Sequence, residues 1–121
     1  MTKKYGYSVA DWDKAKEEMR QILTRRAGKR ETISYSELVS QIRTIHIKPH
    51  AYALAAMLGE ISAEEDAAGR GMLSAIVVRK SDSMPGTGFF RFAEGLGHDT
   101  SDALKFWVDE LAKVHAYWES R

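Results

Sequence analysis

The chain predicts an α+β domain, and three observations carry that expectation. Apolar residues recur at helical spacing through the first half and again near the end. After Gly71 the pattern changes to a β-branched run and then an aromatic one. Residues that favour turns separate the two runs. With 121 residues, two prolines and no Gly/Ser-rich linker, residues 1–121 form a single domain.

The first helix is expected from about Val9 to Ala27. Ser8 can accept a bond from an unsatisfied amide of the first turn, and Val9, Trp12, Met19, Ile22 and Leu23 then form one apolar stripe. Gly28 suits the stop, where positive φ is common. Thr32-Ile33 allows at most a short strand. Ser34-Tyr35-Ser36-Glu37 is an S-x-x-E box, so a second helix of about ten residues follows, with Leu38, Val39 and Ile42 on one face. Ile42, Ile45 and Ile47 mark an apolar connector closed by Pro49, which is tolerated in a first helical turn.

The third helix is expected over about His50 to Ala67, because Leu54, Met57, Leu58 and Ile61 follow i, i+3, i+4, i+7 spacing. Leu73–Val78 and Phe89–Ala93 then predict two strands around a turn-rich loop, hence an antiparallel hairpin. A last helix, capped by Thr100 or Ser101, runs to about Glu119 with Leu104, Trp107, Val108, Leu111, Val114 and Trp118 on its apolar face.

This order resembles a winged helix with an added C-terminal helix. In such folds the third helix enters the major groove, and the hairpin loop, the wing, touches the adjacent backbone. Within it, Thr32-Ile33-Ser34-Tyr35-Ser36-Glu37-Leu38-Val39 is similar to the T-Y-G-x-[IL]-A approach to the second helix in the DNA-binding domain of O6-alkylguanine-DNA alkyltransferases. The resemblance spans about residues 30–90, including an Ala-rich helix leading to paired valines. Where that family has Pro-Cys-His-Arg, this chain has Leu73-Ser74-Ala75-Ile76. Without a thiolate acceptor, alkyl transfer by that mechanism is excluded, and only the scaffold is implied.

The absence of Cys excludes disulfides, thiolate zinc sites and a cysteine nucleophile, and fits a reducing, cytoplasmic setting. Met1-Thr2-Lys3-Lys4-Tyr5 lacks the apolar run of a signal peptide, and no stretch is long enough to span a membrane. His46, His50, His98 and His115 lack metal-ligand spacing, and no Gly-x-Ser-x-Gly elbow surrounds Ser74. No catalytic residue, metal or cofactor is therefore expected.

Net charge is +1 and pI is near 8.0, yet residues 1–50 hold 11 Lys/Arg against 6 Asp/Glu. The expected function is non-enzymatic, regulatory DNA binding. Phosphates would meet Arg25, Arg26, Lys48, Arg79 and Lys80, and Arg91 as the chain leaves the wing, while His50 and Tyr52 lie nearest the bases. Each residue also has a plainer reading. Arg25, Arg26, Lys29 and Arg30 suit a helix C-terminus, and Arg79, Lys80 and Arg91 suit the edges of a small sheet. Glu64, Glu65 and Asp66 oppose DNA if the third helix faces it. The small residues Ala53, Ala55, Ala56 and Gly59, with the aromatic last helix, favour the alternative of a protein–protein module or homodimer on the same scaffold.

Overall fold

The computed structural model describes residues 3–121; Met1 and Thr2, part of the start considered above for a signal peptide, lie outside them. Its elements are β1 (Lys3–Lys4), β2 (Tyr7–Ser8), α1 (Val9–Gly28), β3 (Ile33–Ser34), α2 (Tyr35–Ser40), α3 (Tyr52–Ala67), a 3-10 turn (Leu73–Ile76), β4 (Val77–Val78), α4 (Thr87–Gly95) and α5 (Ala103–Glu119). The architecture is α+β, with five helices, one antiparallel strand pair and one parallel pair.

The Ser8 hydroxyl caps α1 by accepting from the Asp11 amide at 3.1 Å, and Trp12, Met19 and Leu23 of its expected stripe are fully buried, but Val9 is exposed, and Gly28 is helical, the positive φ after the helix falling at Arg30. Ser34 caps α2 in the same way, but α2 ends at Ser40, a shorter helix than expected. Pro49 lies in a turn before α3 instead of in its first helical turn, and α3 starts at Tyr52. The predicted stripe of Leu54, Met57, Leu58 and Ile61 is buried as a unit. Gly59, which interrupts it, has a packing reason: a Cβ there would lie 2.9 Å from the Phe92 ring of α4.

The predicted hairpin wing is overturned. Of Leu73–Val78 only Val77–Val78 is strand, and it pairs in parallel with Ile33–Ser34, far away in the chain. Both valines are buried, as in-sheet residues covered on both faces must be. Leu73–Ile76 instead coil into a 3-10 turn, where the Ser74 amide and hydroxyl bond the buried Ser62 hydroxyl of α3. Phe89–Ala93 is helical. Phe89 and Ala93, one turn apart, are buried, and Phe90 and Leu96 pack beside them, so the aromatic run follows the 3.6 period.

The last helix is capped by Asp102, whose carboxylate accepts from the Lys105 amide at 3.1 Å. Of its expected face, Val114 is buried and Trp107, Leu111 and Trp118 pack against the core, whereas Leu104 and Val108 face outward at 57% and 49% exposure, and Glu110 and His115 are buried in addition. The first and last helices pack against each other and share the core with α3 and the 3-10 turn. Among the described residues no helix is long and apolar enough to cross a membrane.

Candidate nucleic-acid interface

The residues singled out in the sequence fall in three separate regions. Arg25 is exposed on the outer face of α1. Arg26, one residue on, is spent internally: it pairs with Glu37 of α2 and donates to the Thr32 carbonyl at 3.1 Å. Arg79 and Lys80 follow β4 in a closed turn, where Arg79 pairs with Asp82 at 2.7 Å and the Ser83 amide donates back to the Arg79 carbonyl. Arg91 is exposed on α4. With no wing beside them, Arg79, Lys80 and Arg91 do not form the two arms of a hairpin.

Lys48, His50 and Tyr52 stay together at the start of α3, all exposed. What lies beside them was not foreseen: the N-terminal hairpin β1–β2. Its two-residue loop, Tyr5-Gly6, has φ of 52° and 88°. Two positive values define the turn that matches strand twist, normally Asn-Gly or Gly-Gly. Tyrosine at such a position costs about 1–2 kcal/mol, so packing must hold it there. Tyr5 stacks on Trp12 at 5.1 Å and lies 5.5 Å from Tyr52, ring centre to ring centre.

Three further contacts fix this hairpin against the molecule. The Tyr7 hydroxyl donates to the His46 carbonyl at 2.8 Å, tying β2 to the connector before α3. Lys4 reaches Glu60 of α3 at 2.5 Å and lies 5.2 Å from the Trp12 ring centre. The Trp12 indole N–H donates to Glu60 at 3.1 Å. Burial pushes the Glu60 carboxyl up, but Lys4, Trp12 and Lys16 outweigh it and hold it below its ordinary value. Tyr5 is thus 48% exposed and Tyr52 76% exposed, and Lys3, Lys48 and His50, also exposed, lie within four residues of one or the other in the chain. The signal for this cluster was in the chain, since Tyr5-Gly6 is a turn pair between short extended segments, but its partner lies 47 positions away at Tyr52.

The acidic end of α3 is accounted for as well. Lys16 pairs with Glu60 and Glu64 at 3.2 and 2.6 Å. Arg20 pairs with Glu64 and Glu65, and His98 with Asp66 at 2.8 Å. These carboxylates face their own protein's cations, and α4 covers the middle of α3 through Phe92. Only a narrow strip of α3 is open, including Tyr52, Ala55, Glu64 and Ala67. That strip carries no cation, so α3 offers its first turn rather than its length as a contact surface.

Among the described residues no three His, Asp or Glu side chains gather to hold a metal ion. Comparison with protein-family models, curated proteins and solved structures yields no match.

Proposed function

We propose that the protein binds nucleic acid without catalysing a reaction, in a regulatory role in the cytoplasm, through the hairpin tip at Tyr5 and the first turn of α3 at Tyr52. One observation carries the reading: two exposed tyrosines are held as neighbours by a strained turn, with the exposed lysines Lys3 and Lys48 close by in the chain. Aromatic faces of this kind stack unpaired bases, while neighbouring lysines track phosphates. The DNA expected from the sequence is accordingly narrowed to strands with unpaired bases.

The winged-helix reading, and with it the likeness to the alkyltransferase DNA-binding domain, belongs to this proposal in reduced form. The order α1, β3, α2, α3 supports it. The contact differs, because the hairpin next to α3 comes from the N-terminus and replaces the discarded wing. Lys48 and His50 remain contact residues. Arg79, Lys80 and Arg91 lie outside this contact.

The test is fluorescence anisotropy of the intact protein against single- and double-stranded oligonucleotides from 50 to 200 mM salt. Preference for the single strand, with affinity falling steeply as salt rises, is expected. Absent or salt-independent binding sinks the proposal.

A second reading, self-association, is favoured by Leu104 and Val108, which stand one turn apart and exposed on α5. Light scattering at high concentration tests it, and a strict monomer removes it.

A further inference from the structure

The outer face of α1 over its last two turns holds a second concentration of chemistry that the tyrosine platform does not use. Two open clefts flank Arg25 there. One, of about 430 Å³, is lined by Gln21, Thr24, Arg25, Gly28, Trp118 and Arg121. The other, of about 650 Å³, opens toward the end of α2 and sets Gln41 and Arg43 against Gln21 and Arg25. Three different segments therefore deliver an arginine to one face: α1, the connector after α2, and the residue that follows α5's last turn.

Most arginines of this protein are occupied by its own carboxylates. Arg20, Arg26, Arg30, Arg70 and Arg79 all have an acidic partner. Arg25 and Arg43 have none among the described residues, and Arg121 lies over the Tyr117 ring at 4.2 Å. The dipole of α1 favours a cation near its C-terminus and accounts for Arg25 alone. It does not account for Arg43 and Arg121, which reach the same face from elsewhere.

Carboxylates would defeat an anion site, so their placement decides the matter. The first cleft has no Asp or Glu in its lining. The second has Glu18, and that group is spent on the loop carrying Arg43. Glu18 accepts from the Arg43 amide at 2.9 Å, from the Thr44 amide at 3.1 Å and from the Thr44 hydroxyl. Burial pushes its carboxyl up, but these three donors and Lys14 outweigh it and hold it low. Glu18 thereby fixes the backbone of Arg43 at the edge of the cleft.

We propose that the two clefts form one anion site for adjacent phosphoryl groups, with Arg25 between them. Guanidinium groups bind phosphate oxygens in bidentate fashion, and Gln41 adds a neutral donor, while Gln21 donates to Glu17 at 3.4 Å and Thr24 to the Gln21 carbonyl at 3.2 Å. A single small anion fills only one of the clefts. Two linked phosphates, whether of a free oligophosphate or of consecutive nucleotides in a strand, engage both through the shared arginine. The site does not rest on the tyrosine platform, although a strand backbone would connect the two.

The first arm of the test titrates inorganic pyrophosphate into the intact protein at constant ionic strength, following arginine Nε–H and tryptophan Nε1–H resonances, with sulfate as control. Saturable shifts at Arg25 and Trp118, with Kd raised at least about 10-fold by Arg25→Ala and by Arg43→Ala, assign a free oligophosphate. Arg25→Lys, which keeps the charge and loses the fork, should recover only part of the affinity. The second arm measures oligonucleotide binding of the same variants. If pyrophosphate shifts nothing but each substitution weakens the oligonucleotide and lowers its salt slope by about one, the phosphates come from the strand. The proposal fails if neither ligand responds to the two substitutions, or if pyrophosphate and sulfate produce the same unsaturable drift. Oligonucleotide binding that depends on Tyr52 but not on Arg25 leaves the platform standing and removes this site. Pyrophosphate binding without oligonucleotide binding does the reverse. Arg25 and Arg43 are exposed, so an unchanged thermal midpoint is the folding control.

Discussion

Arg20 on α1 donates to the buried carboxylate of Glu65 on α3 at 2.5 Å, and Arg70, from the loop after α3, grips the same carboxylate at 2.7 Å. The Glu65 side chain is 1% exposed, whereas the two arginine side chains keep 23% and 32% exposure. One acidic group thus joins a helix, its neighbour and the loop leading into the 3-10 turn. Glu65→Ala is expected to cost about 2–4 kcal/mol, at the lower end for a broken buried pair because both guanidiniums remain partly hydrated. Urea unfolding reads this as a lowered midpoint with an unchanged slope.

The same carboxylate sets an acid limit on stability. Burial pushes it up, but Arg70 and then Arg20 outweigh burial and hold it below the ordinary 4.5. Glu60 and Glu18 are held low too. A group with a depressed folded pKa contributes stability that is complete above its unfolded value and lost as pH falls through its folded value. The thermal midpoint should therefore change little from pH 7 to about 5 and drop below about pH 4.5. Glu65→Gln should flatten that drop, and an unaltered acid profile in this variant removes Glu65 from the account.

Gly71 is required by both its backbone and its surroundings. Its φ is +92°, and a Cβ there would lie 2.9 Å from Val114 Cγ2. The next amide, Met72, donates to the buried Glu110 at 2.6 Å, so a shift at residue 71 also loosens that bond. Gly71→Ala is expected to destabilise by about 2–3 kcal/mol. Gly69→Ala, with positive φ but open space, should cost less. Calorimetric midpoints of the pair test the ordering.

The serine pair under the 3-10 turn is asymmetric. The Ser62 hydroxyl donates to Ser74 Oγ at 2.6 Å and accepts from the Ser74 amide at 3.0 Å. Ser62→Ala leaves a buried backbone N–H without an acceptor and should cost about 1–3 kcal/mol. Ser74→Ala keeps that amide bond and should cost roughly half as much, about 1 kcal/mol. Equal losses in denaturant melts contradict this assignment of roles.

Tyr52 separates function from stability. At 76% exposure its ring contributes little to the core, so Tyr52→Ala should alter stability by no more than about 0.5 kcal/mol. Loss of a stacking face should weaken single-strand binding by about 5- to 150-fold, equivalent to 1–3 kcal/mol. Retained affinity in this variant places the contact elsewhere.

The regular helices were legible because their signals are local. Ser8 and Ser34 cap within three residues, and the stripe through Leu54 and Ile61 follows one period. The segment from Leu73 to Ala93 was misread for the opposite reason. Ile76-Val77-Val78 has the composition of a strand, yet among the described residues Val77–Val78 pair with Ile33–Ser34 alone, and no local pattern announces a parallel pairing. In Phe89-Phe90-Arg91-Phe92-Ala93 the aromatic content suggested a strand, while the spacing of Phe89, Ala93 and Leu96 carried the helical answer. On α5 the spacing of Trp107, Leu111, Val114 and Trp118 marked most of the inward face. Leu104 and Val108, assigned to the same face, turn outward, and the buried Glu110 and His115 had no local signal.

Among the candidate contact residues, type was readable and availability was not. Arg25 and Arg26 are adjacent and chemically identical, yet Arg26 is closed against Glu37 while Arg25 opens between two clefts. Tyr5 and Trp12 were visible as aromatics, but the stack that lifts Tyr5 toward Tyr52 exists only once the hairpin folds back on α1.

By itself, the order of amino acids determined the α+β class, the starts of α1 and α2 and the core stripe of α3, since caps and periodicity act over one or two turns. The tertiary structure alone decided the parallel strand pair, the helical state of Phe89–Ala93 and which cations keep a free guanidinium or ammonium group. Those outcomes depend on partners tens of residues apart, where burial and ion pairing are settled by packing of the whole chain.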